Sequence, residues 1–597
     1  MSRYLRLGGE LLRLSWRRVP GLTAGLLALY TLSIGALAAV AMCLRATVDA
    51  ITHSTAAAAA TAAVGLAVSY GVSAVLNSAT RTLQILCVER VGLTDLQTHI
   101  YGEIGALEGL EHLERAAYLD RLTVVRDSAW GLMHGMWTGI GAAFTVAQLA
   151  VSLSLLGTVA PGLLTLVLFA AAPLWFDHKG RRAITAAELR TAELFRLQRQ
   201  LFEIVTRANT GKEVKAANCG RELADRQAAV WDECARVRWN AQVTAACWKL
   251  CGWALFTAGF VGGLLAVAVD VTSGHGTPGD LVMAVTVATT LQRSVQEAVG
   301  RVTEAAATGR LVEPFLWLRD YAADARVQDS GSSEVPDRMV DGISLEHVAF
   351  TYPGTDRPAL DGITVHLPAG SVVAVVGTHG SGKSTLAKLL GKFYRWDSGS
   401  IRVDGVDLAG LETQAWRSRC SAVYQDFGRF RALFSETVGL GDVRHMDALG
   451  RITRAVRDAD AEDLVSRLPQ GMDTQLGTDL GGVDLSEGQW QKTALARAAM
   501  RQDPLLLILD EPTASLDAPS EHEIFQRHIA HARAIGAKTG AVTVIVSHRF
   551  STVTGADLIL VLDDGKLIES GSHDDLMARG GRYAALYSLQ ANAYASP

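Results

Sequence analysis

The sequence lacks the features that define several common classes of protein. Its seven cysteines are scattered over 597 residues, which excludes the disulfide framework of a small secreted domain. The formal net charge is −5, so the chain lacks the basic excess that nucleic-acid binding requires. Lysine is rare, and arginine outnumbers it by 46 to 10. Together with abundant alanine, this composition favours a bacterial source.

Charged residues are also scarce in several blocks before about Val299 and frequent after it. The chain is too long for one hydrophobic core, and hydrophobic residues make up 49% of it. We therefore predict an apolar domain over residues 1–319 and a more polar domain over residues 343–597. The stretch 320–342 between them is polar and turn-rich and is predicted to be a linker.

Long uncharged apolar runs predict that the first domain is α-helical and crosses a membrane six times. A run of about 20 apolar residues is long enough to span a bilayer as a helix. The predicted spans are Gly21–Leu44, Ala56–Ala79, Met136–Leu156, Thr158–Phe176, Leu250–Val269 and Leu281–Val299. Gly131, Gly135 and Gly139 recur every four residues and predict close helix packing around the third span.

The distribution of basic residues orients these spans. Five arginines lie among leucines and a tryptophan in the first 18 residues, which predicts an amphipathic helix on the cytoplasmic face. The positive-inside rule places the N-terminus in the cytosol, and six crossings return the chain there. The charged segments Arg81–Trp130 and Asp177–Lys249 then lie inside. Apolar residues at helical spacing in Leu107–Leu122 and Leu194–Val214 predict helices that reach the second domain.

A few polar side chains remain at membrane depth and are candidates for a cargo pocket. Such groups are costly in the bilayer and usually face the interior of a helix bundle. The alternative is structural, since Arg293 and Glu297 lie four residues apart and can pair with each other. The candidate pocket residues are Gln148, Gln292, Arg293, Gln296 and Glu297.

The run Gly377–Thr385 carries the clearest chemical signal of the second domain. It matches G-x-x-x-x-G-K-[ST] between a strand pattern, Val372–Val376, and a helix pattern, Leu386–Leu390. In this setting the backbone N–H groups surround phosphate oxygens, and the helix N-terminus adds its positive dipole end. Lys383 is expected to contact the β- and γ-phosphates, and Ser384 to bind Mg²⁺. The predicted ATP-binding residues here are Gly377, Gly380, Ser381, Gly382, Lys383, Ser384 and Thr385.

Two further patterns fit the same chemistry. The apolar stretch Leu505–Leu509 predicts a strand that ends in two carboxylates, of which Asp510 is expected to hold Mg²⁺ through water. Glu511 is expected to polarise the attacking water as general base. Ser486 and Gln489 have the spacing of a capping box. The same helix start also offers Ser486 and the Gly488 N–H to an anion.

These motifs, in this order over Ile343–Leu589, resemble those of the ATP-binding cassette (ABC) transporters. Leu485–Gln489 resembles their signature motif, with Glu487 in place of the usual glycine. The resemblance implies roles for four more residues: Tyr352 stacks on adenine, Gln425 is the Q-loop glutamine and an Mg²⁺ ligand, Asp517 belongs to the D-loop, and His548 is the catalytic histidine that contacts the γ-phosphate. It also implies an α/β P-loop cassette after a six-span helical domain of the exporter type.

The same resemblance implies a half-transporter in the cytoplasmic membrane, with both termini in the cytosol. Two chains pair in this family, and each signature helix closes the partner's phosphate loop. Because every ATP-site residue is present, we predict a homodimer, with a heterodimer left open. A soluble ABC ATPase is disfavoured by the six predicted spans and the acidic net charge. An inactive subunit is disfavoured by the presence of four ATP-site residues: Lys383, Asp510, Glu511 and His548.

A narrower resemblance concerns the cargo. Gln425–Gly428, Thr437–Asp442 and Leu485–Lys492 resemble the cassettes of lantibiotic and related peptide exporters. The chain begins directly at the amphipathic helix, so no N-terminal peptidase is expected. These observations predict ATP-driven export of a peptide by alternating access in a dimer. Modified natural-product peptides are included in this class of cargo. The alternatives are export of small amphipathic drugs or lipids, and import by an exporter-folded transporter.

Overall fold

Two compact units make up the chain. The computed structural model describes residues 2–53, 56–159, 165–273, 278–328, 331–511, 518–548 and 553–595. The first unit contains Met1–Gly102 and Thr123–Trp317, and the second contains Glu103–Leu122 and Leu318–Pro597. The domain limits at residues 319 and 343 stay predictions. The helix in which the predicted linker begins continues to Gln328.

The first eleven helices cover nearly all of the described chain before residue 329. A short π-helix, Glu89–Leu96, joins the third helix to the fourth. In chain order they are α1 Ser2–Arg18, α2 Pro20–His53, α3 Ala56–Val88, α4 Gln97–Gly105, α5 Glu111–Glu114, α6 Ala116–Arg126, α7 Ser128–Val159, α8 Leu166–Thr206, α9 Ala208–Ala216, α10 Gly220–Thr272 and α11 Pro278–Gln328. The predicted helical character of the first domain is confirmed.

Four helical stretches, within the residues that the structure describes, are long and apolar enough to cross a membrane. They are Pro20–Ile51, Ala56–Gly105, Ser128–Leu155 and Gly220–Val269. They contain four of the six predicted spans, apart from the last residue of the third. The fourth and sixth predicted spans lie largely on α8 and α11, whose described residues contain no comparable apolar window. The count of six spans is therefore not confirmed.

Helix α1 is amphipathic, as its sequence predicts. Leu7 and Leu11 are buried, whereas Leu5 is 74% exposed. Ser15, one turn further along the buried face, hydrogen-bonds through Oγ to Thr23 Oγ1 at the start of α2 (2.8 Å). The buried face of α1 thus combines apolar packing with a polar contact to the next helix.

Glycines bring helices of the first unit into close contact at several points. A Cβ at Gly131 would lie 2.4 Å from a terminal methyl carbon of Leu311, and a Cβ at Gly135 would lie 2.3 Å from a Thr308 carbon, so both glycines lie close to α11. Gly139 has open space around it within this chain, so its predicted packing role stays a prediction. On α10, a Cβ at Gly252 would lie 3.0 Å from the Cα of Pro173 in α8. A glycine thus allows α8 and α10 to approach closely. The sequence predicts the same kind of packing for α7.

The second unit contains two β-sheets. Its strands are β1 Gly342–Thr351, β2 Pro358–Pro368, β3 Val372–Gly377, β4 Ser398–Val403, β5 Val406–Asp407, β6 Cys420–Val423, β7 Leu506–Asp510, β8 Val542–Val546, β9 Leu558–Asp563 and β10 Lys566–Gly571. An antiparallel sheet has the order β2-β1-β4-β5. The other sheet has the order β10-β9-β3-β8-β7-β6 and is parallel except for β10.

Continuous apolar runs explain the centre of the parallel sheet. Every residue of β3, β7 and β8 is buried, as expected for strands that are covered on both faces. Side chains alternate between two cores, so Ala374 and Leu507 lie in one and Val375 and Ile508 in the other. The strands predicted at Val372–Val376 and Leu505–Leu509 are confirmed as β3 and β7.

The remaining helices complete an α/β architecture. Trp490 packs in the core on one side of the sheet, and Trp416 in the core on the other. In chain order these helices are α12 Lys383–Leu390, α13 Thr413–Ser418, α14 Phe434–Gly439, α15 Leu449–Asp458, α16 Glu462–Arg467, α17 Glu487–Ala499, α18 Ala518–Thr539, α19 His573–Arg579 and α20 Arg582–Ala595. A helical region followed by an α/β P-loop domain is the predicted fold class.

The segment Glu103–Leu122 belongs to the second unit although it comes early in the chain. Glu108 accepts hydrogen bonds from Arg417 and Gln414, and the Leu110 N–H donates to the Phe393 carbonyl (3.4 Å). The predicted helix over Leu107–Leu122 is therefore only partly present. Residues 107–110 are not helical, and helix begins at α5.

Candidate functional site

The predicted phosphate-binding loop runs from the end of β3 to the start of α12. Gly377 has φ +152°, and a Cβ there would lie 2.1 Å from the Leu562 carbonyl oxygen. Gly382, the N-cap of α12, has φ +101°, and its Cβ would lie 2.6 Å from the Ala359 carbonyl oxygen. Only glycine satisfies both conditions at these positions. The loop therefore keeps its backbone close to neighbouring strands and free of side chains.

Lys383 lies at the first position of α12 and points back over the loop. Its Nζ donates to the carbonyl oxygens of Gly377 (3.1 Å) and Thr378 (2.8 Å). Burial lowers the pKa of Lys383, while the nearby charges of Glu511 and Asp510 act in the opposite direction. The ammonium group is thus held between loop carbonyls and two carboxylates, where a phosphate can be bound.

Asp510 ends β7 and is 3% exposed. Burial raises its pKa, and a hydrogen bond with Ser384 partly offsets this effect. Among the described residues, its Oδ1 and the Ser381 hydroxyl are buried without a hydrogen-bond partner. A buried carboxylate oxygen beside a serine hydroxyl suits Mg²⁺, which prefers oxygen ligands. Mg²⁺-ATP therefore fits the groups that this loop and β7 bring together.

Glu511 and His548 form a pair at the same end of the sheet. Glu511 Oε1 lies 2.9 Å from His548 Nδ1. Glu511 has φ +51°, an uncommon conformation for a residue other than glycine, and its N–H donates to the Val546 carbonyl (2.9 Å). The two side chains follow β7 and β8, whose carboxyl ends meet at one edge of the parallel sheet.

Tyr352 lies just after β1, beside α12. Its hydroxyl is 3.1 Å from Thr385 Oγ1, and its ring packs edge-on against Tyr394 with centroids 5.4 Å apart. Lys388 Nζ lies 5.6 Å from the centre of the Tyr352 ring and forms an ion pair with Glu114 (3.2 Å). The predicted adenine-stacking residue is thus fixed in position by α12 and its neighbours.

The signature-like segment has the geometry that its spacing predicts. Ser486 is the N-cap of α17, and a capping box joins it to Gln489. The Ser486 N–H donates to Gln489 Oε1 (2.8 Å), and the Gln489 N–H donates to Ser486 Oγ (3.4 Å). Gly488 lies in the first turn. Further along α17, Gln491 donates to the Glu511 carbonyl (3.4 Å), which connects this helix to the end of β7.

Two predicted ATP-site residues are less informative. Gln425 is exposed in the loop that follows β6. Asp517 lies outside the described residues, as does the rest of the predicted D-loop, Ser515–Asp517. Within the described chain, the structure therefore brings together the phosphate-binding loop, Asp510, Glu511 and His548.

The candidate pocket residues of the first unit are only partly described. Gln148 is half-buried on α7, and Gln296 and Glu297 are exposed on α11. The side chains of Gln292 and Arg293 lie outside the description, so the suggested pairing of Arg293 with Glu297 stays a prediction.

Sequence reasoning missed a polar cluster in the first unit. His134 Nε2 lies 2.6 Å from Glu304 Oε1, and the His134 ring stacks on Trp130 with centroids 4.6 Å apart. The Arg301 guanidinium lies 5.9 Å from the centre of the Tyr30 ring. The sequence signal that could have revealed this cluster is that charged residues continue along α11 after Glu297, at Arg301 and Glu304.

Comparison with known proteins agrees with the motifs. A family model described as ABC transporter matches residues 360–514. A protein named ATP-dependent lipid A-core flippase from Pseudomonas fluorescens (strain Pf0-1) is 38% identical over 322 residues, 53% of this chain and 50% of that protein. The protein of the same name from Pseudomonas aeruginosa is 37% identical, with coverage of 53% and 50%. The chain thus spans about half the length of the curated relatives it matches.

A solved structure extends the comparison to the whole chain. The structure of a bacterial Atm1-family ABC exporter with ATP bound is similar with a TM-score of 0.78 and 25% sequence identity. The match covers 96% of this chain and 98% of that one. The chain therefore contains an ABC transporter domain and has the fold of an ABC exporter. Domains of this family bind ATP with Mg²⁺. The resemblance of this chain to lantibiotic exporters is unconfirmed.

Proposed function

We propose that this chain hydrolyses Mg²⁺-ATP and uses the energy to move an amphipathic lipid outward across the bacterial cytoplasmic membrane as a homodimer. The observation that carries the ATPase part is the Glu511–His548 pair at 2.9 Å, beside Asp510 and the phosphate-binding loop. The lipid part is supported by the names of the relatives, which favour the lipid alternative over the peptide reading.

In this proposal the chain's own residues divide the work of hydrolysis. Lys383 and the loop N–H groups bind the phosphates, and Tyr352 stacks on the base. Ser384, Gln425 and Asp510 hold Mg²⁺, which supplies positive charge to the phosphate oxygens. Glu511 accepts a proton from the attacking water, and His548 orients Glu511 through its hydrogen bond while it contacts the γ-phosphate.

The second copy completes each site in the same proposal. Ser486 and Gly488 at the start of α17 approach the γ-phosphate bound by the partner, where a helix N-terminus favours an anion. ATP then stabilises the closed pair, and hydrolysis releases it. Cargo can stimulate turnover only by binding one of these states more tightly than the other.

Reconstitution in liposomes tests the proposal. The purified chain is incorporated with fluorescent phospholipid, and ATP-dependent loss or gain of dithionite accessibility is recorded beside phosphate release. We expect ATP-dependent lipid movement and lipid-stimulated ATPase activity, both absent in Glu511→Gln. If the chain hydrolyses ATP without moving lipid, and an amphipathic peptide stimulates its ATPase activity, the cargo is a peptide and not a lipid. A chain without ATPase activity would contradict the proposal as a whole.

A further inference from the structure

Glu487 is the position at which the signature-like segment departs from its family, and it brings a carboxylate to a sensitive place. Glu487 is the first residue of α17, directly after the N-cap Ser486. A helix N-terminus attracts anions, so a carboxylate there competes with a phosphate that approaches the same helix end. Unless its charge is offset, Glu487 opposes the contact that Ser486 and Gly488 are proposed to make.

Arg429 supplies the opposite charge. Its Nη2 donates to Glu487 Oε2 at 2.5 Å, across 58 residues of sequence. Both side chains are 53% exposed, and ion pairs this exposed contribute little to folding stability. A structural purpose alone is thus a weak explanation for the pair. Its place at the start of α17 favours a role in charge balance at the ATP site.

Neighbouring contacts fix the loop that carries Arg429. The Gly428 carbonyl accepts a hydrogen bond from Arg497 Nη1 of α17 (3.1 Å). The Arg497 guanidinium also lies 4.4 Å from the centre of the Phe430 ring. The residues on both sides of Arg429 are therefore attached to the same helix whose first residue Arg429 contacts. The loop follows Gln425, so Arg429 and the predicted Q-loop glutamine share one segment.

We propose that Arg429 is a positioning residue of the ATP site: by neutralising Glu487 it lets the start of α17 approach a nucleoside triphosphate. The inference rests on the proposed function, because the triphosphate that α17 meets belongs to a second copy of the chain. Arg429 itself touches no reacting atom in this account and acts only through Glu487.

The test compares ATPase kinetics of the purified full chain in lipid nanodiscs with four variants. Arg429→Ala leaves the carboxylate unpaired, and we expect the KM for ATP to rise on the order of tenfold with a smaller change in kcat. Arg429→Lys keeps the charge and should stay within about threefold of wild type. Glu487→Gln removes the charge, so the double variant Arg429→Ala/Glu487→Gln should return to within about threefold of the wild-type KM.

A matched control separates charge balance from support of the loop. Arg431 lies two residues after Arg429 and pairs with Asp479 at 2.6 Å, with side chains 58% and 56% exposed. Asp479 is not part of α17, so Arg431→Ala should leave the KM within about twofold. An unchanged KM in Arg429→Ala, a double variant as weak as Arg429→Ala, or an equal defect in Arg431→Ala would each overturn the proposal.

The outcome is distinguishable from failure of the proposed function. If wild type hydrolyses ATP and Glu511→Gln does not, the ATPase assignment stands whatever Arg429→Ala does. If wild type is inactive, binding of a fluorescent ATP analogue to a trapped dimer replaces KM as the readout. The same pattern of loss in Arg429→Ala and recovery in the double variant is then expected, and its absence contradicts the role of Arg429.

Discussion

Glu511 combines an uncommon backbone conformation with a hydrogen bond to His548, which is the kind of arrangement found at functional sites. Glu511→Gln keeps the size of the side chain and removes the proton acceptor. We expect ATP turnover to fall by 10²-fold or more, roughly the contribution of a general base. Binding of a fluorescent ATP analogue should remain close to wild type. Turnover near the wild-type rate would mean that another group is the base.

Lys383 gives a prediction with the opposite pattern. Its ammonium group lies over the loop between carbonyl oxygens and carboxylates, so Lys383→Ala removes positive charge from the place proposed for phosphate. We expect a fall in ATP affinity of about tenfold or more, the value of a charge-assisted hydrogen bond. Titration with the same analogue measures it. Equal affinity in Lys383→Ala and wild type would contradict the assignment.

Among individual residues, the sequence predicts the glycines of the phosphate-binding loop well, but it predicts contacts between distant side chains poorly. Gly377 and Gly382 are predictable because the phosphate-binding motif has glycine at both positions, and a Cβ there would meet a carbonyl oxygen of a neighbouring strand. The Glu511–His548 and Arg429–Glu487 contacts join residues 37 and 58 apart, and no periodic pattern relates such positions. Only the fold brings them together.

Among the helices, α17 and α19 both begin with a capping box, which allows a matched comparison. Ser486 caps α17 and Ser572 caps α19. Ser486→Ala and Ser572→Ala should each lower stability by about 0.5–2 kcal/mol, measured by thermal unfolding of the full chain. Only Ser486→Ala should also reduce ATP turnover, because only this cap is proposed to meet a phosphate. Equal turnover in the two variants would leave Ser486 with a capping role alone.

The close approach of α8 and α10 predicts that a larger side chain at their contact destabilises the protein. A Cβ at Gly252 would lie only 3.0 Å from Pro173 Cα and 3.1 Å from Phe176 Cβ, whereas Gly262 on the same helix has open space around it. Gly252→Val should destabilise the protein by about 1–3 kcal/mol, as overpacking does, while Gly262→Val should not. Melting temperatures in detergent measure the difference. Equal melting temperatures would show that the helices can separate without cost.

Elements are predictable from sequence where burial is continuous. The apolar runs of β3 and β7 have no polar face and hence fit strands covered on both sides. The non-helical residues 107–110 were not predictable, because Glu108 and Leu110 bond to residues around 300 positions later. Likewise, α8 and α11 mix apolar and charged residues, so hydropathy alone does not establish them as spans.

For the whole molecule, the prediction concerns cooperation between copies. If the α17 of a second copy completes each phosphate-binding loop, a dimer has two ATP sites that depend on each other. ATP hydrolysis by the single purified chain should then show a Hill coefficient above about 1 and no greater than about 2, because the number of sites is the upper limit. Mass photometry of the nanodisc particles reports the number of copies. A monomer that stays inactive until a different transporter subunit is added would replace the homodimer with a heterodimer.

The place of Glu103–Leu122 in the second unit has a consequence for biosynthesis. Glu114 pairs with Lys388, 274 residues later, and Glu108 with Arg417, 309 residues later. At roughly 5–20 residues per second, a ribosome needs on the order of 15–60 s to make that stretch. During this interval the acidic segment lacks these partners, so its contacts with the rest of the second unit form only after Arg417 has been synthesised. Truncation before Arg417 should therefore leave the segment open to proteolysis, and pulse-chase protection of Glu108 is expected to appear late in synthesis.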